Sequence, residues 1–249
     1  MLSYIESVAV VLSALTIAFG IVLFLRRNLN ADMRRRANGV NGWQLSILGS
    51  LYAVVLGFML SDAWTTFQNA DVDARSEAAA ASVTYRMAAL LPPACADPLR
   101  LDVQQYLETV ITTEWPAMEN GQANFNADHV IEQAWRTLDD CKNGSSELKA
   151  SVIQPLQLLQ TRHMARVQDF SGRFPLILWI VLLFGGTSVI AAACILQNER
   201  HYIHLFHVLS LTLLVSVTLL AIFDLDRPFN GGTRVMPTSF CEALLQMQQ

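Results

Sequence analysis

Gly49, Ala53, Gly57, Ser61, Thr65 and Asn69 recur four residues apart, the clearest chemical pattern in the sequence. That spacing keeps side chains close to one face of a helix. Small side chains on such a face let neighbouring helices approach closely. The row also becomes more polar toward its end, which suits a hydrated path shared by several subunits. Gly49, Ala53, Gly57, Ser61 and Thr65 are therefore candidates for either helix packing or pore lining.

A second group of residues carries charge. Asp62, Arg173, Asp224, Asp226 and Arg227 fall at the edges of apolar runs, where charge is costly unless paired or hydrated. A carboxylate–arginine network tying helix ends together is one reading. With Asp71, Asp73 and Glu77 further along, the other is an ion-attracting vestibule at the outer surface, and an acidic ring of that kind would favour cations. His201, His204 and His207 recur at every third position, an arc of about 120° on a helix, broad for a metal site. An anchoring or packing role is expected of them. The motifs GxSxG, HExxH and the Walker loop do not occur, so neither enzymatic activity nor a cofactor or metal is expected. Cys95, Cys141, Cys194 and Cys241 have no CxxC or zinc-type spacing.

These residues are carried by four apolar runs at 5–25, 45–60, 176–196 and 203–223. A hydrocarbon core about 30 Å thick needs about 20 apolar residues in a helix, which the runs meet or approach. The chain of 249 residues is 53% hydrophobic and 15% charged, below the roughly 25% charged residues of soluble proteins. Its formal net charge of -4 gives no reason to expect a nucleic-acid partner. The first run lacks a basic leader and is followed by Arg26 and Arg27, so it reads as an uncleaved span. Arg26, Arg27, Arg34, Arg35 and Arg36 make the loop after it the densest basic cluster. The positive-inside rule assigns that loop to the cytoplasm, with both termini and the long insert outside. In a Gram-negative cell, outside is the periplasm.

From Trp43 to Leu91 there is no proline, and 71–89 is rich in helix formers, so the second span should continue outward as one long helix to Pro92-Pro93. Asp97-Pro98 reads as the start of a further helix that ends at Pro116 and Gly121. The next helix should run from Asn126 or Asp128 to Cys141, and another from Ser145 toward the third span. The apolar stripe of that last helix reads as Leu148, Val152, Leu156, Leu159, Met164 and Val167. Together these elements predict an outer helical bundle. In it Cys95 and Cys141 share the distal tip, where an oxidising compartment could join them; two independent thiols are the alternative.

Three stretches carry a resemblance. They are 48–58 with the aspartate-rich helix and Glu77-Ala78 after it, Glu114-Trp115-Pro116, and Leu225-Asp226-Arg227-Pro228-Phe229-Asn230-Gly231. Together they resemble an uncharacterised family of bacterial four-span membrane proteins labelled bestrophin-like, over nearly the whole chain. The resemblance implies a two-plus-two topology and no particular reaction. It also invites comparison with bestrophins, which are pentameric anion channels with both termini in the cytoplasm. Here the basic loop argues for both termini outside, and the second span has no row of aromatic gate residues. What carries over is an oligomer with the second helix near its axis. Within the last stretch, proline ends the helix, Phe229 can turn back onto apolar surface, and the tail from Thr233 should fold against the outer bundle.

The expected fold is all-α: a polytopic membrane protein with four transmembrane helices and an extramembrane helical bundle inserted between spans two and three. Its expected parts are 1–67 (two spans and the basic loop), 68–174 (the bundle), 175–224 (two spans) and 225–249 (the tail). The expected function is an oligomeric channel or solute pathway in the bacterial inner membrane, lined by the second helix. The alternative is a non-conducting scaffold or sensor whose outer bundle binds a periplasmic or membrane protein. Lipid bilayer and further copies of the chain are the other expected partners.

Overall fold

The structure is a computed structural model and describes residues 4–28, 31–124, 126–142, 145–172, 174–195 and 201–248. It is all-helical among those residues. The helices are α1 (Tyr4–Asn28), α2 (Ala31–Ala88), α3 (Pro93–Thr109), a π turn (Val110–Glu114), α4 (Trp115–Glu119), α5 (Ala127–Asp139), α6 (Ser146–Ser171), α7 (Leu176–Ile195), α8 (His201–Leu225) and α9 (Thr238–Met247). Four segments are long and apolar enough to cross a membrane: Glu6–Leu25, Gly42–Ala88, Leu176–Ile195 and His201–Leu225. The second has 47 residues, about 70 Å of helix, more than twice a hydrocarbon core. Only its apolar portion, 45–60, is therefore read as membrane-spanning.

Two compact units result. One comprises Leu2–Thr65 and Arg173–Asp226; the other comprises Thr66–Gly172 and Arg227–Gln249. In the first, α1 packs on α7 and α8. Ala18, Val22, Ala193, Cys194 and Val208 fill one cluster, and Tyr52, Val189 and Val215 another. The Tyr52 ring lies flat enough on α7 that a Cβ at Gly185 would fall 2.6 Å from its Cδ2, and one at Gly186 2.8 Å from its hydroxyl. The glycine pair thus makes room for the ring, whose hydroxyl donates to the Leu182 carbonyl at 2.9 Å. Asp226 Oδ1, at the end of α8, accepts the Phe174 N–H at 2.9 Å, joining the end of one span to the start of the other.

The second unit has its own core. Ala70, Ala74, Ala78, Ala81 and Ala88 form a small buried face on α2, and Leu99, Val103, Tyr106 and Leu107 a buried face on α3. α5 contributes Val130, Ile131, Ala134 and Leu138. Ser145 caps α6 by accepting the Leu148 N–H. The tail returns to this core: Phe229 packs edge-on to Trp115, and Phe240, Ala243 and Met247 of α9 are buried. Cys95 and Cys141 are bonded to each other, with 5.5 Å between their Cα atoms.

Several sequence expectations are corrected. The basic stretch is helical from Ala31, so Arg34, Arg35 and Arg36 lie in α2 and not in a loop. α3 begins at Pro93 and contains Pro98, because burial of Cys95, Ala96 and Leu99 outweighs the single hydrogen bond that proline forfeits. Pro116 does not end its helix either. The wider π turn precedes it, with the Trp115 N–H bonded to the Val110 carbonyl, and the chain turns only at Gly121, whose φ is +73°. On α6 the buried stripe is Val152, Leu156, Leu159, His163 and Arg166; Met164 is exposed and Val167 only half-buried.

The bond at the two cysteines makes a first prediction. Alkylation of native protein should label Cys95 and Cys141 only after reduction, adding two labels by intact mass. Replacing either by serine should lower stability by about 2–4 kcal/mol in thermal unfolding. Full labelling of both without reductant would contradict the bond.

Candidate functional site

The row on α2 contributes little to packing within the chain. Ala53, Gly57, Ser61 and Thr65 are exposed and Gly49 is half-buried, whereas Tyr52 and Ala63 of the same helix face inward. A Cβ placed at Gly49 or Gly57 would meet nothing within 4 Å. Thr65 spends its hydroxyl on the Ser61 carbonyl one turn back, at 2.9 Å. Beside the row lies an apolar cavity of about 280 Å³, lined by Gly49, Ala53 and Gly57 together with Leu211 and Thr218 of α8.

The proposed charged surface network divides in the structure. Asp62 is exposed. Asp71 pairs with Arg75 on its own helix at 2.7 Å, and Asp73 with Arg162 of α6 at 2.7 Å. Burial, helped by the charge of Asp73, pushes the Asp169 carboxyl up to about 6. Arg227 is half-buried, Asp226 is buried in the contact with Phe174, and Arg173 lies outside the described residues. His204 is buried while His207 is exposed, and no group of three metal-ligating side chains occurs among the described residues.

Glu77 is the main correction. It is not a vestibule residue but fully buried in a polar cluster of the second unit. Arg166 of α6 donates to Glu77 from Nε at 2.7 Å and from Nη2 at 3.0 Å, and its Nη2 reaches Glu114 Oε2 at 2.8 Å. Its Nη1 points to Met118 Sδ at 3.0 Å. The guanidinium also lies over the Trp115 and Phe240 rings, 5.5 and 5.8 Å from their centroids. Tyr106 of α3 donates to Glu77 Oε1. Glu114 Oε1 accepts the Ala127 N–H at 2.9 Å, tying down the first turn of α5. His163 sits one turn before Arg166 and is equally buried.

Each member arrives for a local reason. Glu77 takes one position on the alanine face of α2, where its neighbours are too small to crowd it. The π turn carries both Glu114 and Trp115 inward. Charge then settles the protonation states. Burial works to raise the Glu77 carboxyl, but Arg166 and the hydrogen bonds from His163 and Arg166 overcome it and hold the carboxyl down at about 2. Burial and then the charge of Glu77 push the Tyr106 phenol well above its ordinary value. Burial opposes the charge on Arg166, yet its carboxylate partners raise its pKa further. Sequence reading missed Tyr106, His163 and Arg166 because they occupy an apolar stripe. The available signal was the resemblance itself: Glu77, Glu114-Trp115 and Phe229, taken from its three stretches, all lie in this unit.

Removing Arg166 would strand two buried carboxylates. Arg166→Leu should therefore lose about 3–5 kcal/mol, read as a lower unfolding midpoint of the purified protein. The Glu77 contribution is complete above the unfolded carboxylate's pKa of about 4.3 and is lost as pH falls toward about 2. Glu77→Gln should remove that part of the acid limb; an unchanged limb would assign acid sensitivity elsewhere.

A family model described as the Bestrophin-like domain matches residues 12–240. A point variant of a bacterial bestrophin homolog from Klebsiella pneumoniae superposes with a TM-score of 0.73 at 12% identity, covering 98% of this chain and 99% of that one. A second structure of that homolog covers 96% and 97%, also at 12% identity and a TM-score of 0.73. At such low identity the superposition establishes the shared fold alone. No curated protein matches in sequence.

Proposed function

The chain belongs to the bestrophin-like family of membrane proteins, and from that premise we propose that it forms an oligomeric ion channel or solute pathway lined by α2. The observation that carries this reading is the face of α2 left uncovered in the single chain. Gly49, Ala53, Gly57, Ser61 and Thr65 lie on the helix that supplies Tyr52 and Ala63 to the unit's own packing, yet they contribute little to it. Around an axis, small and hydroxyl-bearing residues would leave an open, hydrated lumen, and the exposed carboxylate of Asp62 would stand near one mouth.

In this reading the unit Thr66–Gly172 with Arg227–Gln249 is the extramembrane bundle of an inner-membrane protein. Its orientation is periplasmic. Two independent features support that: the arginines between the first two spans, and the Cys95–Cys141 bond, which suits an oxidising compartment. The scaffold alternative draws on a groove of the bundle of about 350 Å³, lined by Arg75, Ser82, Arg86, Ser239, Glu242 and Gln246.

Conductance separates the two. In planar bilayers, purified protein should pass current, and Asp62→Lys should shift the reversal potential away from cations. Gly57→Leu should reduce unitary conductance by narrowing the lumen. A stable monomer that passes no current would leave the scaffold reading.

A further inference from the structure

Arg75 and Arg86 stand 11 positions apart on α2, and Asp128 and Asp139 stand 11 positions apart on α5. On a helix that interval is close to three whole turns, so each pair lies on one face, its members about 16 Å apart. All four residues are exposed. The arginines line the groove of about 350 Å³ between α2 and α9, along with the small residues Ala78, Ala79 and Ser82 of α2. Side chains that small let another helix come close.

These charges are little used within the chain. Arg75 pairs with Asp71 on its own helix and keeps 68% of its side chain exposed, so donors of its guanidinium remain available. No carboxylate among the described residues lies within ion-pair distance of Arg86. Asp128 turns Oδ1 toward His163 at 2.9 Å, yet its side chain is 56% exposed. The groove's one carboxylate, Glu242 of α9, is opposite in sign to Arg136, which lies between the two aspartates on α5 and is 73% exposed beside its Glu132 partner.

Direction and level match as well as spacing. α2 runs from Glu77 toward the residues that precede Cys95. α5 runs from Asp128, which with Glu77 flanks His163, toward Cys141, which is bonded to Cys95. Both helices therefore point the same way, with Asp128 near the level of Arg75 and Asp139 near that of Arg86. Rotation about an axis along α2 leaves every residue at its own level. Copies related by such a rotation would bring the arginines of one and the aspartates of the next together in register.

We propose that the α2–α9 groove of one chain receives the exposed face of α5 from a second copy. Arg75 meets Asp128 of that copy, and Arg86 meets its Asp139. The inference rests on the oligomeric reading above and adds the surface through which copies recognise one another. Groove and ridge are different surfaces, so each chain uses both, and the contact is of the head-to-tail kind that closes into rings.

The test uses full-length protein in detergent. In a Cys241→Ser background, which removes the half-buried thiol of α9, Arg86→Cys and Asp139→Cys are combined and treated with a short bismaleimide. A denaturing gel should show a ladder of linked chains, and either cysteine alone should give none. By native mass spectrometry, Arg86→Glu should raise the concentration needed for half-assembly about tenfold, because like charges then face each other. Asp139→Arg should do the same, and the two reversals together should restore assembly. Both positions are exposed, so folding should be kept. Absence of linkage, links that stop at two chains, or assembly that ignores both reversals would overturn this interface. With the copies still assembled, the α2-lined pathway would stand; a monomer throughout would overturn both.

Discussion

A fully buried guanidinium constrains everything around it. Arg166 cannot lose its proton, so every element that packs on it must offer negative charge, a π face or a soft acceptor. That requirement places Glu77 on an otherwise alanine-lined face of α2 and Glu114 at a π turn, and it sets Trp115 and Phe240 over the ion. Two carboxylates against one guanidinium also explain why Tyr106 and His163 are drawn in. A buried ion set of this kind contributes little net stability compared with a well-packed apolar core. Its effect is specificity: α2, α3, α5, α6 and the tail have one arrangement in which all these charges are met.

The other unit is organised by shape instead of charge. The Tyr52 ring takes the space that two consecutive glycines leave on α7, and its hydroxyl finds a main-chain carbonyl there. In a lipid surrounding, close contact and internal hydrogen bonding take over the role that water exclusion plays elsewhere. Beside this contact Ala53, Gly57, Ser61 and Thr65 of the same helix stay exposed.

The four spans, the long second helix, α5, α6 and the return of the tail were legible because they rest on hydropathy, proline positions and helical period. Proline was also the main source of error. Pro98 and Pro116 read as boundaries, yet tertiary burial carried the helix through the first and a π turn through the second. The polar cluster was illegible for a different reason. A period of three to four locates a buried face but cannot say that His163 and Arg166, and not Met164 and Val167, occupy its end. Only knowing that carboxylates arrive from α2 and the π turn, distant in sequence, makes an arginine plausible there. Glu77 was misplaced by the same blindness, since an acidic residue in a run of aspartates reads as solvated.

The placement of α9 has a consequence in time. Its residues are synthesised after α7 and α8, yet Phe240, Ala243 and Met247 belong to the core begun by Thr66–Gly172. At roughly 5–20 residues per second, the nascent chain waits several seconds with Trp115 and Arg166 lacking their final cover. This unit is therefore completed only after both later spans have been made, and a chain cut before α9 leaves its core open. α9 acts as a completion mark: until it is made, Trp115 and Arg166 lack the Phe240 ring.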